Sequence, residues 1–458
     1  MPFQRAAILQ TCATGVALMG ASLLLAVLLL PMSGAPVSRN TRLEDADFRP
    51  ASTSVSDGLV IPAAATANSA SCGRAGCHQA IYREWQSGAH RCSAIDSAFV
   101  SVQQIRSQQK GAESTRFCAQ CHDPISLLAG YRSSKGFWAP GHEEGISCVA
   151  CHIITSTHPL EKGAYIVNPP RDYPGAAGGP IRQALEAFFV RILPGQHRRD
   201  YNRPLLGNSD YCAPCHVQFP GWQHGSQSGE SCQSCHMPLV PSSDPADRNQ
   251  QHHDHRILGG NQWMPLAMGL QGARDQADST VQFLTGGGGD RPLCVDVKAP
   301  ASAPPGSSVP VIVKITNRGV GCGFPNGDID VTQAWIELTV RDARQRLVYQ
   351  SGALRPDGSL PPGTFAFEAL TYDGQGRLIT RHDFWNTARI PFQRTLKAGE
   401  SFDAHVDMPI PPGARGPLEV AARLRYRKAN QRFMDAVFPR QRAPVVDLAA
   451  DRKIMQAG

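Results

Sequence analysis

Five sites at which a pair of cysteines leads directly into a histidine crowd into one stretch of this 458-residue chain. Four have the form Cys-x-x-Cys-His: Cys118/Cys121/His122, Cys148/Cys151/His152, Cys212/Cys215/His216 and Cys232/Cys235/His236. The fifth, Cys72/Cys77/His78, is stretched to Cys-x-x-x-x-Cys-His. Cys-x-x-Cys-His is the attachment sequence of c-type haem, in which both thiols bond to the porphyrin edge and the histidine takes one axial position on iron. A four-cysteine zinc ribbon competes with this reading, because sixteen residues separate Cys212/Cys215 from Cys232/Cys235. Zinc leaves the histidines unexplained. Only 15 of 458 residues are His, so chance would place one after all four pairs in about one chain in a million. The sequence predicts five covalently held haem c groups.

Five haems constrain the fold. Residues 72–255 hold every motif, contain few long apolar runs and are rich in Gly and Pro. Such a stretch lacks the aliphatic side chains for an ordinary core, so short helices and loops wrapped around porphyrins are expected. After the glycine run at 286–289 the character changes. Leu293–Ala299, Val309–Thr316, Ala334–Val340, Leu347–Gln350, Phe402–Pro409 and Leu418–Tyr426 are short, rich in Val, Ile and aromatics, and separated by Pro-Pro-Gly turns at 304–306, 361–363 and 411–413. This pattern predicts an all-β sandwich of immunoglobulin-like type, with no catalytic signature of its own. The expected organisation is a leader or anchor at 1–35, a flexible linker at 36–70, a helix-and-loop multihaem domain at 71–285 and a β-sandwich at 290–448.

Residues 13–30 are apolar and uncharged with Arg5 upstream, the layout of a signal peptide or a membrane anchor. Pro36 directly after Ser33-Gly34-Ala35 disfavours cleavage there and points to an uncleaved anchor. Cys12 precedes the apolar run and reads as a small residue within it. Either way the haem-bearing part would lie outside the cytoplasmic membrane, in the periplasm or its equivalent. The net charge of +7 comes without basic runs interleaved with aromatics, which argues against nucleic acid as a partner. Haem propionates would neutralise much of the Arg excess.

The group facing each motif histidine across its iron decides the chemistry: a second strong ligand gives electron transfer, an open position permits reaction. Here a family resemblance carries information. The segment Cys72-Gly-Arg-Ala-Gly-Cys77-His78, followed by Trp85, Ser87 and His90, resembles the first-haem segment of bacterial multihaem cytochromes c related to the tetrahaem cytochrome of ammonia oxidisers. The resemblance implies that His90 is a distal ligand. It implies the same for His142, six residues before Cys148, for His197 ahead of Cys212, and for His255 in Asp254-His-Arg-Ile-Leu. His158 and His224 are weaker candidates, His252 and His253 read as solvated loop residues, and His382 and His405 fall in the β region.

One haem is left without a partner. Asn317-Arg-Gly-Val-Gly-Cys322-Gly-Phe324-Pro325-Asn-Gly327 resembles a segment of related cytochromes in which a histidine reaches a haem from the β domain, but Cys322 stands at the histidine position. Three readings stay open: Cys322 as a thiolate ligand, Cys322 paired with Cys294 in a disulfide, or a free thiol that leaves one iron open. Cys92, two residues after His90, reads as a buried thiol.

Together these features predict an exported pentahaem cytochrome c that conducts electrons between redox proteins, including a quinol-linked membrane enzyme if the anchor is kept. The alternative is a multihaem oxidoreductase with one open or Cys-ligated iron acting on a small nitrogen or sulfur compound, as in the octahaem enzymes of the wider group that the chain resembles.

Overall fold

A helix is the shortest backbone that brings Cys-x-x-Cys-His onto one face, because positions i, i+3 and i+4 are neighbours on its surface. The haem-motif region of the computed structural model is built this way. The structure describes residues 51–169, 180–216, 231–287 and 291–457, apart from Asp57, Arg203 and Cys322. The helices that matter here are α1 (Gln79–Ser87), α2 (Ser97–Lys110), α3 (Arg116–His122), α4 (Pro124–Leu128), α5 (Cys148–His152), α6 (Pro180–Ile192), α7 (Gly195–Tyr201), α8 (Ala213–His216), α9 (Cys232–His236), α10 (Ala273–Thr285) and α11 (Gln431–Val437). Two compact units emerge, one holding residues 180–201 and the other 51–169 together with 202–457. All five motifs belong to the second.

Several motif helices start on a serine. Ser147 accepts a hydrogen bond from the Ala150 amide at 3.0 Å, and Ser231 accepts one from Ser234 at 3.1 Å. Each caps the helix one residue before its first cysteine. The expected linker at 36–70 does not hold for its described part, residues 51–70. Residues 54–55 form a strand beside 165–167, and Val55 and Ile61 are buried, so apolar side chains tie 51–70 into the unit. The apolar segment 13–30, Cys12, His224 and Cys322 lie outside the described residues. Among the described residues no helix is long and apolar enough to cross a membrane.

The C-terminal region is β-rich, as its alternating pattern predicts. Its principal strands are β1 (Leu293–Lys298), β2 (Ser308–Asn317), β3 (Gln333–Arg341), β4 (Leu347–Ser351), β5 (Ala369–Asp373), β6 (Thr387–Gln393), β7 (Ser401–Pro409), β8 (Leu418–Arg427) and β9 (Val446–Ala457). One sheet runs β4-β3-β8-β9, a second β7-β2-β1, and β5 pairs with β6. Along β2, Val309, Val311, Val313 and Ile315 point to one side, as a period of two requires. They share a core with Ile336, Leu338 and Val340 of β3 and Val420, Ala422 and Leu424 of β8. The turns at Pro304 and Pro361 close with hydrogen bonds from Ser307 and Thr364. Positive φ at Gly306 and Gly363 makes both type II turns.

The β region packs onto the haem-motif region. Cys92, Val102, Trp263 and Met264 form one cluster with Val331, Ala429, Phe433 and Met434. Within the haem-motif region the firmest polar anchor is Arg132 paired with Asp123, both fully buried. Asp123 also caps α4 through the Ser126 amide at 3.1 Å. Asp123→Ala would strand a buried guanidinium and should cost about 3–5 kcal/mol. Denaturant unfolding of the holoprotein measures this, and a loss under about 1 kcal/mol would contradict it.

Candidate haem-binding centres

The stretched motif closes the same ring as the regular ones. In the fourth motif the His216 amide donates to the Cys212 carbonyl at 3.1 Å, the ordinary bond between positions i+4 and i. In the stretched motif the His78 amide donates to the Cys72 carbonyl at 3.0 Å, and Cys77 donates to Arg74 at 3.0 Å. The two extra residues loop out through Gly76, whose φ of 80° suits glycine. Cys72 and His78 therefore meet as they do in a Cys-x-x-Cys-His helix.

Two pairs of histidines face one another. His90 and His216 have ring centres 6.0 Å apart, and His152 and His255 have ring centres 6.3 Å apart with planes 15° from parallel. Imidazoles on opposite sides of one metal, each bound at about 2 Å, place their ring centres roughly 6 Å apart. Both gaps fit an iron. His90 thus faces the fourth motif and His255 the third, neither of them near in sequence. Desolvation holds His90 down at about 3, with His216 and other histidines adding to the effect, and it holds His255 at about 4. These imidazoles are neutral at pH 7, the form that binds metal.

The backbone aims them. Trp85 of α1 donates its indole N–H to the Ile146 carbonyl at 2.8 Å, and the Ile146 amide donates to the His90 carbonyl at 3.0 Å. Gly145 allows the approach: its φ is 57°, and a Cβ there would sit 2.6 Å from the His90 oxygen. His255 has its amide bonded to Glu84 at 2.9 Å and its Nδ1 2.6 Å from the His253 carbonyl. In His236, Nδ1 lies 2.6 Å from the Leu258 carbonyl, and in His142 it lies 3.0 Å from that of Ala139. A histidine whose Nδ1 is held this way presents Nε2 to a metal.

Other candidates have different placements. His142 stacks on Trp138 at 5.6 Å, and His197 sits on α7 against Tyr201 at 5.1 Å. His252 is buried rather than solvated, because Asp247, five residues before it, and Glu84 of α1 close over it. Its Nδ1 is 3.0 Å from Asp247 and its Nε2 2.9 Å from Glu84, so both ring nitrogens are engaged. His253 is exposed as expected. Cys92 is buried, and burial pushes its thiol up to about 12. Cys294 is partly buried on β1.

The motif cysteines approach one another between motifs. Cys72 meets Cys148, Cys121 meets Cys215, and Cys212 meets Cys232, each within hydrogen-bond reach. Tyr211 bridges further, its hydroxyl 3.1 Å from the Cys151 sulfur. These sulfurs would be thioethers in a holoprotein, so the attachment edges of the first and third, the second and fourth, and the fourth and fifth motifs are neighbours. Among the described residues no group of three or more His, Cys, Asp or Glu side chains could hold a single metal ion, and Cys212, Cys215, Cys232 and Cys235 make no zinc ribbon.

The family model described as cytochrome c554 and c-prime matches residues 71–153. The fold is similar to that of a penta-heme cytochrome c552 from Thermochromatium tepidum, with a TM-score of 0.56 and 18% identity over 86% of this chain and 100% of that one. Together with the motifs, these matches support a multihaem c-type cytochrome. No curated protein matches the chain. At 18% identity the structural likeness concerns the fold alone.

The centre around Cys118, Cys121 and His122 differs from those with facing histidines. Phe99 stacks on the His122 ring at 4.2 Å, and a cavity opens beside it onto Asp328, His382 and Lys428 of the β region. Asp328, the residue after the Asn317–Gly327 segment, lines this cavity. His382 has Nδ1 2.9 Å from Asp330 and Nε2 3.5 Å from Asp328, on a backbone with φ of 59°. Sequence alone does not reveal this group, because Asp328, His382 and Lys428 are far apart in the chain and form no motif. Burial alone would lower the His382 pKa, but the two carboxylates outweigh it and raise it from 6.5 to about 9. The folded value lies above the unfolded one, so this stability is complete below about pH 6.5 and is lost as pH rises through about 9. Between those limits the protein should lose on the order of 2–3 kcal/mol that His382→Gln does not lose. Guanidinium unfolding of both proteins at the two ends of the range checks this, and parallel pH profiles would refute it.

Proposed function

We propose that the chain is an exported pentahaem cytochrome c that passes electrons along closely spaced haems. Cys72/Cys77, Cys118/Cys121, Cys148/Cys151, Cys212/Cys215 and Cys232/Cys235 carry the porphyrins, and His78, His122, His152, His216 and His236 bind the irons from one side. The observation that carries the reading is the pair of histidine couples, His90 with His216 and His152 with His255, at metal-spanning separations. Iron with two imidazoles is coordinatively full, which suits it to exchange electrons rather than substrate. His142 is assigned as the distal ligand of a further haem.

The sulfur contacts support an order of neighbours. The first haem adjoins the third, the fourth adjoins both the second and the fifth, and Tyr211 links the third to the fourth. Every haem then belongs to one connected path that branches at the fourth. An N-terminal anchor at 13–30 would hold that path at the membrane, within reach of a quinol-linked partner.

Mass spectrometry and pyridine haemochrome absorption should count five haems, and EPR of the ferric protein should show bis-histidine low-spin signals. Reduction by one equivalent of donor should then spread over several haems within the mixing time of a stopped-flow instrument. Fewer than five haems, or haems that fill independently and slowly, would argue against the proposal.

A further inference from the structure

A histidine with both ring nitrogens engaged cannot bind iron, and His252 is one. It lies on the short strand Gln251–His253, paired with Leu239–Pro241, and only 7% of its surface is exposed. Asp247 and Glu84 hold its two nitrogens at 3.0 and 2.9 Å. Each of those carboxylates turns its other oxygen to a histidine assigned to an iron. Oδ1 of Asp247 stands 3.7 Å from Nδ1 of His78, and Oε2 of Glu84 accepts the His255 amide at 2.9 Å. The groups His78, Asp247, His252, Glu84 and His255 therefore run in series from the first haem motif to the distal side of the third. Cys72 and Cys148 make the same two haems neighbours at their attachment edges.

A clamp with no electrical role would not need three ionised groups here, because burying charge costs more than packing apolar side chains of similar volume. Desolvation alone would lower the His252 pKa, but Glu84 and Asp247 outweigh it and raise it above the usual value. Below about pH 6.5 the ring is thus a cation between two anions. Other charges nearby have their own partners. Asp254 pairs with Arg256 at 2.5 Å, and Asp244 accepts the Ala80 amide at 2.6 Å at the start of α1. The carboxylates outnumber the cation, so the series carries net negative charge between the two centres. Negative charge favours ferric over ferrous iron and lowers a haem's potential, and a carboxylate behind an axial imidazole acts in the same sense.

We infer that Glu84, Asp247 and His252 set the potentials of the first and third haems against each other, with His252 a positioning residue that holds one carboxylate toward each ligand. The inference rests on the reading of His78 and His255 as iron ligands and goes beyond it, because it gives a role to groups that bind no haem. Asp247 holds down the first haem and Glu84 the third. The His252 cation, shared between them, offsets part of both effects. The series thereby fixes the driving force of one step on the path, between two haems that adjoin.

The test is an EPR-monitored redox titration of the holoprotein at about pH 6, with the haems of every variant counted first. The third haem is the one whose low-spin signal His255→Ala removes. Glu84→Gln should raise that midpoint, Asp247→Asn should raise a different one, and His252→Gln, which removes the cation, should lower both. At a fixed applied potential each change should alter the ferric-to-ferrous ratio of the affected haem by roughly tenfold, the effect of one charge at a protein-like dielectric. Opposite signs separate an electrical role from a loosened fold, which would move all three variants the same way. Five haems with unchanged midpoints, or shifts of one sign in all three variants, would overturn the inference alone. If His252→Gln fails to load its haems, the two carboxylate variants decide: shifts that fall on one and the same haem would overturn it. A native count below five with the first motif unmodified would overturn the pentahaem reading and the inference together.

Discussion

Replacing His90 by alanine should convert one low-spin haem to a high-spin form and raise its reduction potential. His90 stands 6.0 Å from His216, and desolvation of its half-buried ring keeps it neutral. Its carbonyl is bound by the Ile146 amide, and Ile146 is held in turn by Trp85. Imidazole stabilises ferric iron, so its loss favours the ferrous state. An upward shift on the order of 0.1 V is expected, within the ~0.8 V that axial ligands command. EPR should lose one bis-histidine signal and gain a high-spin feature, and exogenous imidazole should restore the original spectrum. His252→Gln is the internal control. His252 is also buried, but Asp247 and Glu84 occupy both its nitrogens, so its replacement should leave every spin state unchanged. An unaltered spectrum in His90→Ala, or a spin change in His252→Gln, would break the assignment of the couples.

The contrast between His90 and His252 marks how far the sequence could reveal the site. The attachment sites were legible because their chemistry is local: two thiols and an imidazole must share one helical face, and five residues suffice to write that. The strands from Leu293 to Lys298 and from Ser308 to Asn317 were legible for a similar reason, their alternation surviving within a residue of the observed ends. Val446–Ala457 was not. Its exposed residues include Asp447, Arg452 and Lys453, and its strand conformation comes from pairing with β8 along almost its whole length. The couples were half legible. His90 and His255 could be named as ligands from the resemblance, but which iron each one serves depends on how distant segments fold together. The settings of His252 and His382 were not legible, because the carboxylates that hold them, Glu84 and Asp247 for one, Asp328 and Asp330 for the other, announce nothing in the sequence.

Blocking haem attachment should unfold the chain from roughly residue 71 to residue 285 and spare most of the β region beyond it. The motif helices are too short to stand alone: α5 and α9 have five residues each and α8 has four, against the ~12–15 that even good helix formers need in water. The apolar cluster around Ile125, Ala129 and Ala139 is small, and the larger one around Trp263 is shared with the β region. Neither replaces the apolar surface of five porphyrins. By contrast, every fully buried member of the main β core lies between Leu293 and Met455. That span is long enough to bury a core of its own. Chain produced without haem attachment should therefore lose most of its helical circular dichroism, keep its strand signal, and yield on limited proteolysis a resistant fragment beginning near residue 290. Losing the haems should also expose Val331, Phe433 and Met434, which pack against Cys92 and Trp263 in the intact protein, so the fragment should bind an apolar dye that the holoprotein does not. A haem-free chain that resists protease throughout and melts in one transition would mean that the polypeptide, and not the porphyrins, holds the first half of this fold together.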